Sequence, residues 1–360
     1  MSTLRSRPNL SDIAAALGVS VATVSNAMSG KGRVSTELIE KIRKTAAEIG
    51  YIPSFPGKAL RTGRSGVLGL VLADIVHPLF PQIAQAVEFA AANCGYGVLI
   101  ADSRGDTATQ ADAINRLLER GADGLVVVPR RGTRIGDIGR PVVVIDSPST
   151  PGNTVAADHW NGGQQIARHL LSHGHRRFVI IGGSSTSNVQ NDRVGGIRSS
   201  LPTDAASEVI WIEGIEQSKA KGCDLDLAAK ARQGFTAFCA VSDLHALRAL
   251  MELQRGGVAV PEEASVTGFD DLIWSPVVTP GLTTMRMDMA TIAEIAIARL
   301  IDAIEAEGRG PDDDVASSEI HSSNISHDIS AADVSSVPMQ LVVRQSSGRA
   351  PVHQRSIQEE

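Results

Sequence analysis

Between residues 20 and 26 the chain carries Ser20, Val21, Ala22, Thr23, Ser25 and Asn26, a row suited to surface recognition rather than to bond-making chemistry. The Asn26 amide can donate and accept at once, which suits the edge of adenine in a major groove. Val21 and Ala22 have no hydrogen-bonding side chains, so they can meet thymine methyl groups but not polar base edges. Ser20, Thr23 and Ser25 offer hydroxyls of the kind that hold phosphates and fix register. A second set of polar groups lies farther along, each just after an apolar run. It comprises Asp74-Ile75-x-His77-Pro78-x-Phe80, Asp146, Ser242-Asp243 and Gly268-Phe269-Asp270-Asp271, with Arg193 expected to open the helix after Gly182-Gly183.

The first row needs a rigid element to present it. Ile13, Ala14 and Leu17 give a helix over Leu10–Leu17 one apolar face. Gly18 can take the positive φ of a sharp turn, and Ser20 can cap the next helix through its hydroxyl. Val24 and Ala27 then face inward and leave the row outward. The plain alternative is an ordinary helical hairpin. A third helix is predicted from the Ser35 cap, with Leu38, Ile39, Ile42, Ala46 and Ile49 as its buried stripe and Gly50 at its end. Met1–Gly66 holds ten basic residues against four acidic ones, a net +6. The whole chain is −6, so the remainder carries −12. A basic head on an acidic body is the asymmetry expected when only the head meets phosphates.

From Ser65 to about Arg344 the texture changes. Apolar runs alternate with helical periodicity: Val67–Leu72, Val98–Ile100, Gly124–Val128, Val142–Ile145, Phe178–Ile181, Val209–Ile212 and Ala237–Val241. Near-continuous apolar strands joined by helices indicate parallel sheets covered on both faces. This stretch is long for one open sheet, so two α/β subdomains are expected, with the break near Pro148–Asn153. Two such lobes create a cleft beyond the carboxyl ends of the strands, where ligands of open α/β folds gather.

Residues 9–66 resemble the DNA-binding head of the LacI/GalR family of bacterial transcription regulators. The resemblance rests on Leu10–Leu17 with Asp12, Val19-Ser20-x-x-Thr23-Val24-Ser25, Val34-Ser35, Gly50-Tyr51-x-Pro53 and Ala59-Leu60-Arg61-Thr62-Gly63. Val67–Asp302, resumed at Gln340–Arg344, resembles the same family's effector core, built like periplasmic sugar-binding proteins. The implied fold is an all-α helix-turn-helix head plus a two-lobed α/β body of the type I periplasmic-binding-protein kind. Its expected divisions are 1–53 for the head, 54–65 for a hinge helix and linker, and 66–344 for effector binding and dimerisation. The hinge helix would order on the operator, with Leu60 as a minor-groove wedge. Pro56 and Gly57 give that helix little intrinsic stability of its own.

The resemblance further implies DNA contacts from Leu10, Ser11, Ser20, Val21, Ala22, Thr23, Ser25, Asn26, Ser29, Val34, Ser35, Tyr51, Ser54, Leu60 and Arg61. For the cleft it implies Phe80 against the ligand's apolar face, with Arg193 and Asp270 holding hydroxyls through charge-assisted hydrogen bonds. Ile75, His77, Asp146, Trp160, Glu216 and Ser242 complete the expected effector set. The expected partners are a near-palindromic operator duplex, a second copy of the chain and a sugar-like effector. A purine-type corepressor, or control by a protein partner, remains the alternative.

Enzymatic readings find little support. There is no Gly-x-Ser-x-Gly elbow, Walker loop or His-Glu-x-x-His motif, and Gly182-Gly183 opens no full phosphate fingerprint. His173 and His175 lack nearby Cys or carboxylate partners, and His321 and His327 sit in a Ser-rich stretch. Cys94, Cys223 and Cys239 are isolated, so neither a disulfide framework nor a metal clamp is expected, and no cofactor is. With no leader and no long apolar run, a cytoplasmic, non-membrane protein is expected. Residues 311–336 hold eight serines and six acidic residues without Lys or Arg, and read as a loose surface loop. The polar tail 345–360 is expected to be flexible, without leucine heptads for a coiled coil.

Overall fold

The computed structural model describes residues 8–29, 33–51, 63–129, 138–146, 154–307 and 336–351, with Ser29 by its backbone alone. The chain divides into two units, Met1–Ser65 and Gly66–Glu360. The expected contacts Ser54, Leu60 and Arg61 lie outside the described residues, as do nearly all of the 311–336 segment and the chain beyond Pro351.

The described residues of the first unit form three helices: α1 (Leu10–Leu17), α2 (Val21–Ser29) and α3 (Thr36–Glu48). Asn9 caps α1 by accepting from the amides of Ser11 and Asp12, while Asp12 accepts from the Asn9 amide. This reciprocal cap satisfies amides that would otherwise lack partners. Gly18 takes φ +65°, and α1 and α2 are bent by 110° across it. Ser20 accepts from the Thr23 amide at 3.0 Å, and Ser35 caps α3 through the Leu38 amide. Ile13, Val24, Ala27, Ile42 and their neighbours form a small core, as their spacing predicts.

The described residues of the second unit form two sheets. The first is wholly parallel in the order β2-β1-β3-β4-β5, using β1 (Val67–Leu72), β2 (Gly97–Asp102), β3 (Gly124–Val127), β4 (Val142–Ile145) and β5 (Thr154–Val155). Helices α4 (Leu79–Asn93) and α5 (Thr107–Glu119) connect its early strands. The second sheet runs β11-β10-β9-β8-β6-β7, with β6 (Arg177–Gly182), β7 (Ala206–Trp211), β8 (Ala237–Ala240), β9 (Ser265–Phe269), β10 (Thr283–Met287) and β11 (Met339–Val342). Only β11 is antiparallel to its neighbour. Its helices are α6 (His159–Ser172), α7 (Asn188–Ser199), α8 (Ile212–Ser218), α9 (Leu227–Arg232) and α10 (Asp243–Arg255). Helix α11 (Met289–Glu307) follows β10 but packs on α4, β3 and β4 of the first lobe. A continuous apolar core therefore reaches across both lobes.

Four expectations are corrected. β5 still pairs with β4, so the first crossing between lobes comes after Val155 rather than within Pro148–Asn153. The chain also returns to the first lobe through α11 and back again through β11, which a single break does not describe. β2 is an edge strand with Leu99 and Ile100 exposed, so this run is not covered on both faces within one chain. The tail is not free from residue 345 onward. Ser346 is fully buried and bonds Val266 and Thr283, while the Ala350 amide donates to His173 O.

Candidate DNA-reading face and effector cavity

In the head, the Ser20 cap and the inward-facing Val24 and Ala27 fix how α2 is rotated. Ser20, Val21, Ala22 and Asn26 are exposed, while Thr23 and Ser25 are half-buried. The Ser20 and Thr23 hydroxyls lie 2.8 Å apart, so they act as one polar pair at the helix start. Ser11 and Ser35 are also exposed. Leu10, Val34 and Tyr51 instead lean on the core, where burial pushes the Tyr51 phenol up.

In the body, the carboxyl ends of the parallel strands surround a cavity of about 220 Å³. The first lobe contributes Asp74, His77 and Phe80 after β1, Pro129 after β3, and Asp146 after β4. The His77 and Phe80 rings meet edge to face, with centroids 5.7 Å apart. The second lobe contributes Ser184 after β6, Gln190 and Arg193 on α7, Ser242 after β8, His245 on α10 and Asp270 after β9. His159 and Met287 complete the polar wall near Arg193.

Arg193 is the most constrained group. It is the sixth residue of α7 rather than its opening residue. Its Nη1 donates to Asp270 Oδ1 at 2.9 Å and to Val241 O at 2.7 Å, and its Nε donates to His159 Nδ1 at 3.3 Å. The Phe269 ring lies 4.7 Å from the guanidinium carbon, and Nη2 faces the Met287 sulfur at 3.7 Å. Burial holds His159 well below the ordinary imidazole range, and Arg193 adds to the effect. A neutral His159 can therefore accept from Nε. Burial pushes Asp270 up, while Arg193 and then His77 pull it down. The 2.9 Å contact to a permanently charged guanidinium favours an ionised pair. Both side chains are almost fully buried, so their attraction acts with little screening.

Of the nine residues expected around the effector, His77, Phe80, Asp146, Arg193, Ser242 and Asp270 line the cavity. Three do not. Ile75 is exposed on the loop after β1. Trp160 packs against α7, where a Cβ on Gly195 would fall 2.4 Å from its ring and one on Gly196 would fall 2.0 Å from its carbonyl oxygen. Glu216 is turned away by Arg248 Nη1 at 2.7 Å and the Gly222 amide at 2.9 Å. Ser242 lines the wall, yet its hydroxyl also caps α10 through the His245 amide. Asp271 pairs with Arg286 and Arg344 at 2.6 Å each.

Asp74, His159, Gln190 and His245 are cavity residues absent from the expected set. Ser187-x-x-Gln190 at the start of α7 has capping-box spacing, a local signal that could have singled out Gln190. Its Oε1 accepts instead from the Gly183 and Ser184 amides, at 2.7 and 3.1 Å. His245 is held down to about 4 by burial and is neutral. Among the described residues, no group of three or more His, Cys, Asp or Glu could hold a metal ion.

A helix-turn-helix head joined to a two-lobed α/β receptor defines a ligand-responsive class of DNA-binding regulator. Residues 9–54 match the lacI family of bacterial regulatory proteins, and residues 167–347, just over half the chain, match the periplasmic binding protein-like domain. The chain belongs to the lacI family of bacterial regulatory proteins and is a DNA-binding transcriptional regulator. The regulator DegA of Bacillus subtilis (strain 168) is 28% identical over 290 residues, covering 76% of this chain and 85% of DegA. The ribose operon repressor of Haemophilus influenzae is 27% identical over 306 residues, covering 82% and 92%. The lac repressor dimer bound to operator and the anti-inducer ONPF has the same fold, with a TM-score of 0.72 at 22% identity over 95% of this chain and 99% of that one. No single helix among the described residues is long and apolar enough to cross a membrane.

Proposed function

We propose that this regulator is a repressor whose grip on a near-palindromic operator is set by a small hydroxyl-rich molecule, a sugar or sugar derivative, held between the lobes. The observation that carries this reading is the buried Arg193–Asp270 pair set in a cavity shared by both lobes. An ion pair already fixed by its surroundings offers a hydroxyl both a donor and an acceptor without reordering either side chain. Phe80 supplies an apolar wall of the kind that meets the carbon face of a sugar ring. The ribose operon repressor is a relative over most of the chain, which supports the sugar class. The protein acts by binding, and turnover of the ligand forms no part of the reading.

Two copies would act together. Leu99 and Ile100 on edge strand β2 and Phe89 on α4 expose apolar surface on the first lobe. Leu244 and Met251 on α10, with Ile273, Trp274 and Val277 beside it, do so on the second. Apolar surface on both lobes fits a paired chain, with two heads reading two half-sites. Ligand between the lobes changes their relative angle and hence the spacing of the heads. A coupling of about 1–3 kcal/mol would change operator affinity roughly 5- to 150-fold.

The test is a thermal-shift panel of sugars, polyols and nucleobases on the full chain. A sugar at 100 times its dissociation constant should add about 2.7 kcal/mol of stability, and Arg193→Ala should abolish that gain. A shift produced by nucleobases alone would refute the sugar assignment.

A further inference from the structure

Asp243 is fully buried at the start of α10 and forms no part of the cavity wall. Its Oδ2 accepts from the Leu272 amide at 2.8 Å and from the Ser275 hydroxyl at 2.5 Å. Its Oδ1 accepts from the Thr284 hydroxyl on β10. Gly268 packs so close that a Cβ there would lie 2.3 Å from the same oxygen. One carboxylate thus grips the chain on both sides of Asp270, and ties it to the neighbouring strand as well.

Asp270 needs such a grip. Asp270 and Asp271 hold φ of +109° and +48°, values that side chains other than glycine's adopt at a cost and keep only where the surroundings over-determine them. The Asp270 amide donates to Met285 O at 2.8 Å, which fixes one end of the bend. Outside, Asp271 bridges Arg286 and Arg344, but Arg286 is half-exposed and its share is screened by water. The inner contacts of Asp243 lie where water does not compete.

We infer that Asp243 is the positioning residue that holds Asp270 against Arg193, and so sets the affinity of the cavity for its ligand without touching it. The inference rests on the reading of the Arg193–Asp270 pair given above.

The experiment compares the wild-type full chain with Asp243→Ala and Asp243→Asn by hydrogen exchange, and titrates each with D-ribose as the probe, beside an Arg193→Ala control. In D243A the amides of Leu272 and Ser275 should exchange about tenfold faster, while those in β8 and β9 stay within about twofold of wild type. D243N should restore slow exchange, because its Oδ1 can accept from Leu272 and Ser275 while its amide donates to Thr284. Where wild type binds ribose and the Arg193 variant does not, D243A should lose about tenfold in affinity and D243N should stay within about threefold. Exchange that speeds up uniformly in D243A, or a D243N protein that behaves like D243A, would overturn the inference, as would wild-type ribose affinity in D243A. Failure of ribose to bind wild type, or its retention by the Arg193 variant, counts against the sugar reading alone; the exchange measurements then decide the role of Asp243.

Discussion

In the head, most of the side chains proposed to read DNA fall between Ser20 and Asn26, at and just after the start of one short helix, whereas the cavity of the body draws on segments from Asp74 to Ile292. The head's reading face is largely exposed and its hydroxyls serve chiefly to start helices. The body's groups are buried and hold one another, above all Arg193 and Asp270. Recognition and stability are therefore separable in the head and joined in the body. A change at exposed Val21 or Ala22 on α2 should weaken binding and little else, and loss of the Ser20 cap should also cost helix stability. A side chain removed from the cavity should weaken ligand binding and the fold together.

The largest effect tests the joined half of that contrast. Arg193→Ala leaves Asp270 buried without its cation and should lower unfolding free energy by about 3–5 kcal/mol in urea titrations. A loss below 1 kcal/mol would show that the pair is not the keystone of the cavity.

Acidity should separate two buried groups that pull in opposite directions. His245 sits at about 4 rather than 6.5, so its stabilising contribution is full above 6.5 and is lost as pH falls toward 4, an amount of about 3 kcal/mol. Asp243 is pushed up to about 7 by burial and by Asp270, so its contribution is full below 3.8 and is lost as pH rises through 7. The two offset each other in wild type. Asp243→Asn should therefore steepen the fall in stability between pH 7 and 4, and should match or exceed wild type at pH 8. Parallel pH profiles for the two proteins would contradict this.

Smaller changes are expected in the head. Asn26→Ala should cost about 1–3 kcal/mol of operator affinity, confined to one base pair of each half-site. Ser35→Ala removes the α3 cap and should cost about 1 kcal/mol of head stability. If Asn26→Ala destabilised the head as much as Ser35→Ala does, the separation of recognition from stability would fail there.

The same contrast explains what could be read from residues alone. The three described head helices, the Ser20 and Ser35 caps and the Gly18 turn are local features, and local sequence determines them. Strands β1, β3, β4, β6 and β8 were legible as apolar runs, because burial on both faces demands continuous apolar residues. Strands β9 (Ser-Val-Thr-Gly-Phe) and β10 (Thr-Thr-Met-Arg-Met) carry too many polar residues to read that way. The crossings between lobes were not legible, since α11 looks like any amphipathic helix and only tertiary packing assigns it to the first lobe. The cavity was legible where a polar residue interrupts the end of an apolar strand, as at Asp146 and Asp270. It was illegible for His159, Gln190 and His245, whose roles depend on helix rotation. Glu216 misled because an acidic side chain carries no mark of whether Arg248 will claim it. Ser346 misled in the same way, as a polar residue in a polar tail that bonds to strands β9 and β10 inside the second sheet.

The central claim is that a small molecule between the lobes controls the affinity of the heads for DNA. Inverted-repeat duplexes selected by the purified chain from a random pool should be titrated by fluorescence anisotropy, with and without the sugar that raises its melting temperature most. Wild type should show an affinity change of roughly 5- to 150-fold on adding that sugar, and Arg193→Ala should show none. Operator affinity that is the same with and without a sugar the cavity demonstrably binds would contradict the account.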